Sequence, residues 1–81
     1  MSDQELRKEA HDLDVTVWVG KSGLGAVTEE LNGQLRNEKL VKVKFLRAAR
    51  GGTSTDELAE ELADEVNAEL IETRGNTAVY H

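Results

Sequence analysis

The sequence predicts an α/β (α+β) fold, with helices packed on a four-stranded mixed sheet in the order α-β-α-β-α-β-β. Three observations lead there. Apolar spacing switches repeatedly between steps of three or four, the helical period, and steps of two, the strand period. Glycines fall at the switches, at Gly20, Gly51-Gly52 and Gly75. Two short β-like runs close the sequence around a Gly-Asn pair, the signature of a tight hairpin. Helices alternating with strands imply parallel crossovers, and the closing hairpin adds antiparallel strands.

Each element has its own signal. Residues 2–12 contain good helix formers without Gly or Pro, and Ser2 followed by Glu5 has the capping-box pattern. Val15-Thr16-Val17-Trp18-Val19 is dense in β-branched and aromatic residues and ends at Gly20, which predicts a strand. Leu24, Val27, Leu31 and Leu35 then form one helical stripe, predicting a helix over 24–37. Gly25 and Gly33 oppose it at about 1 kcal/mol each, and Gly33 is expected to mark close packing on the sheet. Over 40–46, Val41, Val43 and Phe45 alternate with Lys42 and Lys44, so one face is buried and the other basic. Arg47 to Thr53 is expected as a loop carrying Arg47 and Arg50 on a flexible span. Ser54 and Glu57 form a second capping-box pattern, opening a helix to about Asn67 with Leu58, Leu62 and Val66 inward. Its other face is acidic, from Asp56 to Glu65. Residues 69–73 and 77–80 are the closing hairpin.

The 81 residues are read as a single domain over 1–81, near the lower limit of unaided folding. At 38% apolar and 32% charged, it should pair a simple core with a heavily solvated surface. No apolar run is long enough for a membrane span, and Met1 to Glu5 is too polar for a signal peptide. The absence of cysteine removes disulfides and thiolate metal sites and suits a cytoplasmic location. His11 and His81 stand far apart in sequence, so no metal or other cofactor is expected.

The net charge of −6 argues against a polyanionic partner until its distribution is followed. Residues 1–16 carry two basic side chains against five acidic, and residues 53–81 carry one against eight. Residues 17–52 carry seven against three. Phosphate contact requires a local basic patch rather than a basic total. Chance variation along a chain is the plain alternative. The Glu-rich remainder also resembles the surface of a salt-adapted protein.

The strand–Gly20-Lys21-Ser22-Gly23–helix unit is the one local motif with a mechanism attached. Glycines let a backbone approach a ligand closely, Lys21 and Ser22 supply a cation and a hydroxyl, and a following helix would add its positive end. This is the arrangement that clamps the nucleic-acid backbone in KH-type RNA binders. Alone, a GxxG is weak, and an ordinary strand-to-helix turn explains it equally. A nucleotide-binding P-loop needs a glycine five positions before its Gly-Lys pair, where this chain has Val15. Ser22 and His11 suggest a catalytic triad only on paper, without a nucleophile elbow. No enzyme is expected. Trp18, next to the loop and on the face of Thr16, is of a kind able to stack on a base. A lone Trp in a short strand is more often core.

Three segments together carry a family resemblance: Val17-Trp18-Val19-Gly20-Lys21-Ser22-Gly23-Leu24, Leu40-Val41-Lys42-Val43-Lys44-Phe45, and Arg74-Gly75-Asn76-Thr77-Ala78-Val79-Tyr80. In this order and spacing they resemble the CRM domain, the chloroplast-RNA-splicing and ribosome-maturation family that includes the YhbY-like proteins. The resemblance spans nearly the whole chain. It implies a fold similar to the C-terminal domain of initiation factor 3, RNA as partner, and, for single-domain bacterial members, association with large-subunit precursors of the ribosome. By position, Gly20, Lys21, Ser22 and Gly23 would be the RNA-contacting loop. Lys42, Lys44, Arg47 and Arg50 are added as candidates from charge. The chain departs from the family at Asp12-Leu13-Asp14, where members often carry proline and lysine, and at His81, where they often carry arginine. Both departures remove positive charge and lower the affinity expected at ordinary salt. The reading is therefore a monomeric RNA-binding protein, contacting ribosomal RNA or pre-ribosomal particles, without a membrane or small-molecule partner. The alternative is an acidic adaptor whose last helix docks on basic ribosomal proteins.

Overall fold

In the computed structural model, residues 8–10 and 12–81 are described. Residues 8–10 are helical. The rest of the helix expected over 2–12, and its cap, lie outside the described residues. From there the order is β1 (Val15–Val19), α1 (Thr28–Asn37), β2 (Val41–Phe45), α2 (Thr55–Val66), β3 (Leu70–Arg74) and β4 (Thr77–Tyr80). Short 3-10 turns occupy Leu24–Ala26 and Arg47–Ala49. The strands form one mixed sheet in the order β1-β2-β4-β3: β1 and β2 are parallel, and β4 is antiparallel to both its neighbours. This is the α+β architecture the spacing predicts.

Strand alternation sends Val17, Val19, Val41, Val43, Phe45, Ala78 and Tyr80 to one face, where α1 and α2 cover them with Leu31, Leu58, Leu62 and Val66. Tyr80 brings the one polar atom of this core that must be answered, and its hydroxyl donates to the carbonyl of Ala59 at 2.7 Å. No buried side-chain nitrogen or oxygen among the described residues lacks a partner. The opposite face has a smaller cluster of Ala10, Leu40, Ile71 and Val79, with Leu13 against it.

The local signals explain most boundaries. Ser54 caps α2, accepting from the Glu57 N–H at 3.2 Å. The reciprocal half of the box is diverted, because the Glu57 carboxylate accepts from the Thr53 hydroxyl instead. Asn67, in the left-handed region at φ 54, ends α2. Gly75 and Asn76 form the two-residue hairpin loop, with Gly75 at φ +58. Two expectations fail. The helix expected over 24–37 begins only at Thr28, after a 3-10 turn. Gly33 does not mark close packing, since nothing lies within 4 Å of where its Cβ would stand.

β1 is an edge strand, and its outer side is partly occupied. The Gln34 side-chain amide donates to the Thr16 carbonyl at 3.3 Å, and the Thr16 hydroxyl donates to the Gln34 side-chain oxygen.

Candidate nucleic-acid interface

Because β1 and β2 are parallel and β4 runs opposite, three connections leave the sheet at one end. These are Gly20 to Gly23 after β1, Leu46 to Arg50 after β2, and the turn between β3 and β4. Hydrogen bonds lace their roots together: Leu46 N–H to the Val19 carbonyl at 2.8 Å, and Phe45 N–H to the Asn76 carbonyl at 2.8 Å.

Gly20-Lys21-Ser22-Gly23 closes as a β-turn, with the Gly23 N–H bonded to the Gly20 carbonyl at 3.0 Å. Lys21 and Ser22 occupy its corner and are exposed. Gly23 stands at φ +82, where an L side chain is strained, so the fold itself requires a glycine there. Gly20 is different. Its φ is not in that region, and an added Cβ would meet only Leu46 Cδ1, at an ordinary 3.8 Å. Neither conformation nor packing demands Gly20.

The expected contribution of a helix N-terminus does not survive in its simple form. A three-residue 3-10 turn follows the loop, and α1 opens at Thr28 with Glu29 and Glu30 in its first turn. Those carboxylates already answer the positive end of the helix. Anion attraction at the loop must therefore come from side chains and turn amides.

Lys44 points away from α1 and α2, one residue from the strand end. Arg47 is exposed at the start of a 3-10 turn, rather than on the flexible loop expected. Arg50 is half-buried and donates from Nε to the Phe45 carbonyl at 3.1 Å, so it braces the turn beneath Arg47. Lys42 lies about 7 Å further down β2, in the row with Val79 and Glu72, and lines a groove of about 680 Å³ with Leu13, Thr16 and Gln34. The structure thus places Lys21, Ser22, Lys44, Arg47 and Arg50 at one end of the sheet, and Lys42 away from it.

One residue at that end escaped the sequence reading, and a second was weighed there for stacking but more as core. Arg74, the lone cation of the acidic last third, sits in cross-strand register through Thr77 with Lys44. Only the order β1-β2-β4-β3 brings them together. Trp18, expected as core, is 53% exposed and pairs with Lys44. Its place beside the loop was legible, and the openness of its face was not.

The profile of the CRS1/YhbY (CRM) domain matches residues 2–81. The chain belongs to the CRM domain family. A protein of Methanocaldococcus jannaschii named as a probable RNA-binding protein is 41% identical over 71 residues, which is 88% of this CRM domain and 53% of the relative. The chain thus spans about half the length of the curated relative it matches. A solution structure of a hypothetical Staphylococcus aureus protein with a proposed RNA-binding role superposes with a TM-score of 0.78 at 29% identity. That match covers 98% of this CRM domain and 81% of the other chain. Among the described residues no helix is long and apolar enough to cross a membrane.

Proposed function

We propose that this CRM domain binds RNA through the phosphate backbone, with the Gly20-Lys21-Ser22-Gly23 turn as the clamp. The observation that carries the reading is the convergence of Lys21, Lys44, Arg47 and Arg74 at one end of the sheet in a chain of net charge −6. A cluster of one sign against an opposite total is a local field, which is what a polyanion meets. Lys21 supplies the mobile cation, and the Ser22 hydroxyl donates. Gly20, which the fold does not need, leaves room for a sugar-phosphate close to the backbone. Arg47 adds a second contact, and Arg50 positions it by holding the turn. Lys42 contributes through the field alone. The two named relatives, both longer than this chain, support RNA as the partner. No chemical step is involved.

The finer proposal is a role on large-subunit ribosomal RNA or its precursors, as the family resemblance implies. It predicts co-sedimentation with pre-ribosomal particles in a sucrose gradient, and a signal confined to the top fractions would overturn it. The backbone clamp is tested by Lys21→Glu combined with Arg47→Glu. RNA affinity should fall, and the dependence of log affinity on log salt should become shallower by about 0.7 for each phosphate no longer neutralised. Unchanged affinity with an unchanged far-UV CD spectrum would overturn it.

A second reading has one observation behind it. Asp56, Glu57, Glu60, Glu61, Asp64 and Glu65 are all exposed along α2, a surface suited to a basic protein. Partners that survive ribonuclease in a pull-down would favour such an adaptor, and partners that vanish would favour RNA.

A further inference from the structure

The face of the sheet turned away from α1 and α2 carries a row that crosses all four strands. Trp18 on β1 pairs with Lys44 on β2, Lys44 with Thr77 on β4, and Thr77 with Arg74 on β3. Adjacent strands lie about 4.8 Å apart, so the row spans roughly 14 Å from the backbone of Trp18 to that of Arg74. It contains no acidic residue.

Trp18 and Leu46 are the exposed large hydrophobics among the described residues, at 53% and 38%. Both lie at the root of the Gly20 turn. Leu46 donates its N–H to the Val19 carbonyl, and its Cδ1 lies 3.8 Å from the place of a Gly20 Cβ, on the face of Trp18. One exposed apolar side chain would be ordinary. Two around a phosphate-seeking turn, ringed by Lys21, Lys44, Arg47 and Arg74, form a flat apolar floor inside a cationic rim.

That combination selects its occupant. A neutral lipid or an apolar peptide would use the floor and waste the cations, while duplex RNA would use the cations and present no free base face. Unpaired RNA offers both phosphates and π-faces, and base–aromatic stacking needs an indole exposed beside the backbone clamp.

We propose that the row Trp18–Lys44–Thr77–Arg74 is a stacking track for unpaired bases, which makes this domain a binder of single-stranded rather than duplex RNA. The inference rests on the backbone-clamp reading and adds the form of RNA that the same site accepts. Trp18 stacks one base next to the nucleotide held at the Gly20 turn. Lys44 and Arg74 then follow the backbone, with the Thr77 hydroxyl, which donates to the Arg74 carbonyl at 2.8 Å, between them as an acceptor.

The test compares a short oligouridine with the duplex it forms with oligoadenosine, by fluorescence anisotropy at fixed salt. Wild-type protein should bind the single strand more tightly, with the Trp18 emission changed by the single strand and not by the duplex. Trp18→Ala should weaken single-strand binding by about 5-fold to 150-fold, the range of one missing stack, and leave duplex binding unchanged. Trp18→Phe should restore most of the loss. If Lys21→Glu with Arg47→Glu weakens binding while Trp18→Ala does not, the clamp stands and the stacking track is overturned. Equal binding of both forms overturns it as well. If neither RNA binds, the clamp reading itself fails and the track falls with it. Should wild-type protein sediment as a dimer that Trp18→Ala dissociates, the row is an interface between copies, and the proposal is overturned.

Discussion

The face of the sheet away from α1 and α2 has two halves of unlike chemistry. One half presents Leu40, Ile71 and Val79 beneath Ala10 and Leu13. The other presents Trp18, Lys44, Thr77 and Arg74, with Trp18 more than half exposed. The strands are continuous between the halves, so backbone geometry does not separate them. Among the described residues, what separates them is that Ala10 and Leu13, before β1, lay apolar side chains over the first half. A sheet face becomes core where something covers it, and elsewhere it is available for a partner.

The sharpest way to break that contrast is to put a charge in the covered half. Val79 is 2% exposed, and Val79→Asp should cost about 3 kcal/mol or more. A carboxylate there replaces apolar packing against Ala10, Leu40 and Ile71, and the cross-strand Lys42 offsets only part of its desolvation. Thermal unfolding should show a fall on the order of 12 °C or more in Tm. On the open side the large effect should be on binding. The pair Lys21→Glu and Arg47→Glu should weaken RNA binding at least tenfold, about 1.4 kcal/mol, without moving the thermal transition by more than a few degrees. Thermal melts and RNA titrations on the same preparations would show whether stability and binding separate between the halves.

Tyr80 gives a smaller effect on the helix-covered face. Tyr80→Phe removes a second hydrogen bond to the Ala59 carbonyl, which keeps its intrahelical partner, and should cost about 0.5–1.5 kcal/mol in chemical denaturation. Burial raises the Tyr80 phenol above its ordinary value of 10.0, so the folded state keeps its proton longer than the unfolded state does. That stability is fully present below pH 10.0 and is lost as pH rises further, at up to about 1.4 kcal/mol per pH unit. The alkaline loss attributable to this group should be absent in Tyr80→Phe. The smallest change expected is from Gly20→Ala, within about 0.5 kcal/mol of wild type in stability. RNA affinity should nevertheless drop, and a variant that kept full affinity would remove Gly20 from the clamp.

Much of this was legible from residue order because the signals are local. Alternation in Val41-Lys42-Val43-Lys44-Phe45 named the inward face of β2, Ser54 announced the start of α2, and Gly75-Asn76 the hairpin. The candidate turn was equally plain, since strand, glycine and lysine are neighbours. What could not be read was set by residues distant in sequence. Arg74 joins the basic end only because β4 lies between β2 and β3. Trp18 is exposed because no described element covers its half of the face. The late start of α1 reflects the tight Gly20–Gly23 turn followed by a 3-10 turn, a balance of a few hydrogen bonds that apolar spacing does not encode.

The Gln34 amide on the outer side of β1 bears on how this protein behaves in a crowded solution. A strand at a sheet margin offers its carbonyls and amides to any other extended chain, including a copy of itself. Here the carbonyl of Thr16 is already answered from within the molecule, and the answer comes from a side chain on a packed helix rather than from water. Gln34→Ala would remove it while leaving α1 a good helix. The expected consequence is colloidal: slow growth of large scattering species at high concentration, visible by dynamic light scattering, with the fold of each copy intact. Unchanged scattering over the same period would mean that the margin is kept quiet by charge alone.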